Sequence, residues 1–174
     1  RVDNPLRSFN SNSGQWRSYD FTEIIPDGLN DELGFSDIEI GQLGNKWIGG
    51  LRSGLIISNN PPWNELIKIW LLSTYYLPSP YVRSLAVDNN NHLWIGTVEG
   101  LRVLYNTTNF FESNVITQPI VILEDGIPKE LLEQQFISDI EVDGANNKWI
   151  GTIGSGIFYF SQNGQQTIHH FNIT

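Results

Sequence analysis

Several residues in this chain are spaced so that they could do chemistry. The carboxylates Glu32 with Asp37, and Glu39 with Glu141, are pairs of the kind that glycoside cleavage places on either side of a sugar bond. Asp88-Asn89-Asn90-Asn91 and Asp143-Gly144-Ala145-Asn146-Asn147 are runs of oxygen ligands such as calcium takes. His169-His170 and His92 are potential transition-metal ligands. The aromatic residues Trp63, Trp70, Tyr75, Tyr76, Tyr81, Phe110 and Phe111 fall in irregular stretches, where they could stack on a sugar or anchor a protein partner.

Most of these candidates have a simpler reading. The asparagine-rich runs lack the bidentate glutamate and the Asp-x-Asx-x-Asx-Gly spacing of a calcium loop. They read as turns whose aspartate bonds the local backbone. Adjacent histidines in a strand point to opposite faces, so a joint metal site is not expected. A strongly acidic chain offers carboxylate pairs by composition alone, and no catalytic-serine, phosphate-loop or HExxH motif is present. We therefore expect no catalytic residues, no metal and no cofactor. The loop aromatics Trp63, Trp70, Tyr75, Tyr76, Tyr81, Phe110 and Phe111 remain as candidate ligand or partner contacts.

The elements that would carry them repeat. Ile137 to Phe160 reads as three short strands: Ile140 and Val142 alternate with polar residues, a turn runs from Asp143 to Asn147, and Lys148 to Thr152 follows. Gly154-Ser155-Gly156 then opens a third apolar run. The same pattern begins at Ser36 and at Ser84. Its tryptophans Trp47, Trp94 and Trp149 are 47 (94 − 47) and 55 (149 − 94) residues apart. Gly41, Asp88 and Asp143 each stand six residues before their tryptophan. Gly49, Gly96 and Gly151 stand two after it, which suits close backbone approach beside a packed indole. Strand-only repeats of this length are propeller blades. We expect an all-β chain of four-stranded antiparallel blades, with the tryptophans in the core.

The expected organisation is a half blade over residues 1–24 and blades over about 33–75, 81–124 and 136–174. That makes about three and a half blades, and the chain reads as a segment of a larger propeller. Pro119 to Leu123 is the expected outer strand of the second complete blade, and Pro128 to Gln135 is composed to form a short helix. An open array leaves apolar end faces, to be covered by remaining blades of a parent protein or by a second copy.

Composition narrows the function classes. The net charge of −9 argues against nucleic acid, which needs a basic face. With no cysteine there are no disulfides and no thiolate metal sites. No apolar run approaches the roughly 20 residues of a membrane helix.

The segments Ile38 to Gly50, Leu85 to Thr97 and Ile140 to Thr152 resemble the two-component regulator propeller repeat, an apolar-x-apolar strand, aspartate, a turn, Trp-Ile-Gly-Thr and a Gly-Leu pair. The first repeat departs from it at Gly41 and Gly50. Val142 to Thr152, with Ser155 to Phe158 and His170-Phe171, is similar to propeller proteins of the PorZ type, which belong to type IX secretion in Bacteroidetes. The resemblance implies a non-enzymatic protein of the periplasm or outer surface of a Gram-negative bacterium. Its implied partners are proteins of a secretion or signalling complex and a glycan or lipopolysaccharide. The wider repeat family also includes periplasmic sensor regions of hybrid histidine kinases that respond to polysaccharide fragments.

Overall fold

A computed structural model describes residues 6–19, 34–58, 66–70 (backbone only), 77–108 and 116–172. The described residues contain strands and turns and no helix. A hairpin comes first, β1 (Leu6–Asn10) with β2 (Gln15–Tyr19). The first blade is β3 (Phe35–Ile40), β4 (Lys46–Gly50), β5 (Gly54–Ser58) and β6 (Leu66–Trp70). The second is β7 (Val82–Val87), β8 (Leu93–Thr97) and β9 (Gly100–Leu104). A separate hairpin follows, β10 (Val121–Glu124) with β11 (Ile127–Glu130). The third blade is β12 (Ile137–Val142), β13 (Lys148–Thr152), β14 (Gly156–Phe160) and β15 (Thr167–Phe171). In every sheet the strands pair antiparallel, each with its neighbour in sequence.

Two local expectations are corrected. The stretch Pro119 to Leu123 does not form the outer strand of the second blade. Among the described residues after β9, only Gln118 bridges it, to Val103, and the chain continues into the separate β10–β11 hairpin. Proline has no N–H to continue a ladder. Asp125 and Gly126, both at positive φ (52° and 79°), make the tight turn that favours a hairpin instead. Nor do Pro128 to Gln135 form a helix: β11 takes the first part, and Leu132 and Gln134 sit at φ 54° and 58°, outside any right-handed helix.

Strand alternation gives each blade two faces, and consecutive blades press unlike faces together. Trp47, Leu55 and Ile57 of the first blade pack on Val82, Leu85, Leu93, Ile95 and Leu104 of the second. Ala86, Trp94, Leu101 and Val103 on the other face of the second blade pack on Ile137, Ile140, Ile150 and Phe160 of the third. Trp47 is 0% exposed and Trp94 1%. Trp149, at the same position of the third blade, is 37% exposed and stacks on Tyr159 and Phe171. The difference follows from the stacking rule: among the described residues no further blade lies on its face.

The glycines two residues after Trp47 and Trp94 let the next blade approach closely. A Cβ on Gly49 would lie 2.9 Å from Val82, and one on Gly96 would lie 2.5 Å from Ile137 of the next blade. Gly96→Ala should therefore cost about 1–3 kcal/mol by overpacking. Gly144→Ala, where a Cβ meets nothing within 4 Å, should change little. Chemical unfolding of the two variants measures the contrast.

Candidate functional site

The opening of each blade has one design, repeated three times. The residue just before the first strand accepts a hydrogen bond from the residue just after the second: Leu51 N–H to Gly34 O (2.9 Å), Val98 N–H to Tyr81 O (3.2 Å) and Ile153 N–H to Phe136 O (2.9 Å). Within each first strand the register slips by one residue, between Phe35 and Asp37, Val82 and Ser84, and Ile137 and Asp139. The residues at the slips are Ser36, Arg83 and Ser138. A bulge bends the strand and re-aims a side chain.

In the second blade this construction carries Arg83, whose guanidinium carbon lies 5.5 Å from the centre of the Phe136 ring on the third blade. One seam earlier, Arg52 in the turn after β4 lies 5.9 Å from the centre of the Tyr81 ring on the second blade. Arg52, Tyr81, Arg83 and Phe136, with Leu51 and Val98, line a cleft of about 480 Å3. Tyr81 is 39% exposed there. Each seam thus presents an arginine from one blade over an aromatic ring of the next. An arginine over a ring gains cation–π attraction and keeps its in-plane N–H donors for a carboxylate or phosphate. Among the described residues no carboxylate forms an ion pair with Arg83. In a chain of net charge −9, Arg83 gives the cleft a cationic group beside its two aromatic rings.

Of the expected contact residues, Tyr81 lies in this cleft. Trp63, Tyr75, Tyr76, Phe110 and Phe111 lie outside the described residues, as does the side chain of Trp70, whose backbone pairs with Leu55 in β6. Sequence reasoning missed Arg52, Arg83 and Phe136, although a signal existed. Gly34, Tyr81 and Phe136 each stand 13 residues before their tryptophan (47 − 34, 94 − 81, 149 − 136), so the repeat itself aligns the two aromatics.

The other chemistry-bearing residues serve the frame. Asp88 Oδ1 accepts the amides of Asn90 and His92, and Asp143 Oδ1 those of Ala145 and Asn147, so both runs are Asx turns. Among the described residues no three metal-ligating side chains gather. His170 lies flat on Phe158 (3.9 Å between ring centres), with Nε2 2.6 Å from Ser155 O, while His169 packs on Phe171 from the opposite face. Asp37 accepts the Leu85 amide (2.8 Å) and the Ser84 hydroxyl (3.4 Å), stapling the first strands of two blades. Glu32 lies outside the described residues. A second cleft, of about 640 Å3, is bordered by Lys129, Glu133, Phe158 and His170. Its lysine is already paired with Glu124.

Glu39 sits on the first strand of its blade with Asp37 and close enough to Glu141 to feel its charge. Burial and the Asp37 charge raise its pKa, with a further rise from Glu141 and partial relief from the Ile40 amide. A carboxylic acid with a raised folded pKa destabilises the fold while ionised, and the penalty disappears as pH falls through that pKa. Glu39→Gln should therefore raise the melting temperature at pH 7, and the gain should shrink below about pH 4, near the unfolded value. Scanning calorimetry at the two pH values measures it.

The buried junction between the second and third blades holds a charge pair. Lys148 Nζ, 0% exposed, is 3.1 Å from Asp88 Oδ2, whose side chain is 1% exposed. Lys148 also donates to Asn146 O (2.6 Å) and Gln162 O (2.7 Å), and lies 4.7 Å from the centre of the Trp94 ring. Asp88 Oδ2 accepts the Trp94 indole N–H (3.1 Å). Burial lowers the lysine's pKa against the pull of Asp88. Burial would raise that of Asp88, but the His92 amide, the Trp94 indole and Lys148 more than offset it.

Part of one blade and the overall fold have known counterparts. Residues 76–99 match the two-component regulator propeller repeat. No curated protein matches the chain at a significant level. Solved structures show the fold. PorZ, an essential bacterial surface component of the type IX secretion system of Porphyromonas gingivalis, superposes with TM-score 0.74 at 22% identity over 94% of this chain. The extracellular domain of a putative hybrid two-component system of B. thetaiotaomicron gives 0.68 at 18% over 99%. Virginiamycin B lyase of Staphylococcus aureus gives 0.65 at 15% over 98%. The chain spans 24%, 20% and 49% of their respective lengths. It is an all-β propeller segment, and most of these likenesses are to surface and extracellular proteins. Among the described residues no helix is long and apolar enough to cross a membrane.

Proposed function

We propose that this chain is a non-catalytic binding segment of a bacterial surface or periplasmic propeller, and that it holds an acidic glycan on its arginine–aromatic cleft. The observation that carries the reading is the repetition of Arg52 over Tyr81 and Arg83 over Phe136 across successive seams. An acidic sugar offers an apolar ring face to the aromatics and a carboxylate to the Arg83 guanidinium group. Of the candidate catalytic carboxylates, Asp37 is occupied with the Ser84 hydroxyl and the Leu85 amide, and Asp139 beside it accepts from Ser84 and the Ile140 amide.

A protein of the PorZ type in type IX secretion is the setting that the fold overlap supports. A ligand-sensing propeller of a hybrid two-component system is the alternative, supported by the repeat match at residues 76–99 and the B. thetaiotaomicron domain. The cleft serves either setting. Calorimetric titration with an oligogalacturonate tests the reading. Arg83→Gln should weaken binding by about 10- to 100-fold, the worth of a charge-assisted hydrogen bond. The sugar should be recovered uncleaved. Cleavage abolished by changing one carboxylate would decide for an enzyme, as the likeness to a lyase propeller allows.

A further inference from the structure

The outward face of the third blade is built like the seams already described. Trp149 occupies the position of Trp94, and Ile157 that of Leu101. Leu101 is 1% exposed, whereas Ile157 is 46%, Phe171 45% and Trp149 37%. Asp143 stands where Asp88 stands. Its Oδ2 accepts the Tyr159 hydroxyl (2.8 Å) and Asn147 Nδ2 (3.3 Å), and among the described residues no lysine or arginine pairs with it. These neutral donors hold its pKa below the usual value.

The two seams within the chain say what belongs opposite that carboxylate. Where the leading blade has Asp88, the following blade has Lys148. Where the leading blade has Gly41, the following blade has Leu93. Aspartate and lysine are thus present together or absent together. An apolar partner at this position would bury the Asp143 carboxylate without a counter-charge, which is costly. We propose that this face docks a further blade of the same repeat, one whose second strand opens on a lysine that reaches Asp143.

A second copy of residues 136–172 appended to the full chain supplies such a partner, because that segment already covers Trp94 and its lysine already meets Asp88. The copy's own tryptophan is changed to phenylalanine, and Trp149 emission is read as the difference from a Trp149→Phe variant. We expect the emission to move to shorter wavelength and acrylamide quenching to fall several-fold. Lys→Leu at the copied position 148 should undo most of that protection, and Asp143→Ala alongside it should restore part. Three outcomes would overturn the proposal. The first is a Trp149 signal unchanged by the added blade, whether that blade fails to fold or docks elsewhere. The second is equal protection with lysine or leucine in the copy. The third is self-association of the unextended chain that buries Trp149 and gives the face to a second copy.

Discussion

Asp88→Ala should destabilise the chain by about 3–5 kcal/mol, the cost of removing one partner from a buried ion pair. The change strands Lys148, which is 0% exposed, and removes the acceptor of the Trp94 indole N–H and of two turn amides. The neighbouring seam supplies a rescue. Asp88→Gly with Lys148→Leu copies Gly41 and Leu93, and the pair should recover much of the loss, since an apolar replacement of a buried ion pair is often neutral. The two single changes should therefore couple strongly in a double-mutant cycle. The pH dependence has a definite sign. The folded pKa of Asp88 is lowered, so its stabilisation is present above the unfolded value of about 3.9 and is lost as pH falls through the folded value. Unfolding followed from pH 6 to pH 2 should show this acid loss in the wild type and a smaller one in the double variant.

Trp94→Ala should cost about 3–5 kcal/mol, in the range for truncating a large core aromatic. Its indole lies between Lys148 and the Ile137, Ile140, Ile150 and Phe160 cluster, and the Gly164 turn also closes on it. Trp149→Ala should cost markedly less, although the two tryptophans are equivalent in the repeat, because Trp149 keeps 37% of its surface exposed. Equilibrium denaturation of both variants gives the comparison. Equal losses would mean that the last face is covered in solution.

The repeat was legible because its signals are local. Strand alternation, the Asx turns before Trp94 and Trp149, and the glycine two residues after each tryptophan all lie within one blade, where spacing along the chain fixes spacing in the fold. Features that span a seam were less legible. The repeat gives Trp149 the same sequence context as Trp94, and only the stacking of whole blades separates a buried indole from a half-exposed one. The Asp88–Lys148 pair joins residues 60 positions apart (148 − 88), so neither residue's local context points to the other. The cleft was half legible. Tyr81 stood out as a loop aromatic, whereas Arg83 and Phe136 meet only across the seam, where the register slip beside Arg83 brings its guanidinium over the ring. The β10–β11 hairpin was missed because Pro119 to Leu123 is apolar enough for a blade strand. The Asp125-Gly126 turn, both residues at positive φ, decides its pairing.

On this reading the cleft recognises the negative charge of a glycan held on an aromatic platform. The most direct test is titration of the wild-type chain with an oligogalacturonate and with the same oligosaccharide after reduction of its carboxyl groups. We expect saturable binding of the acidic form that weakens as salt is added, and binding of the reduced form weaker by about 10-fold or more, as the loss of charge-assisted hydrogen bonds requires. Equal affinity for the two forms, or no binding of either, would show that the cleft does not recognise the sugar's charge.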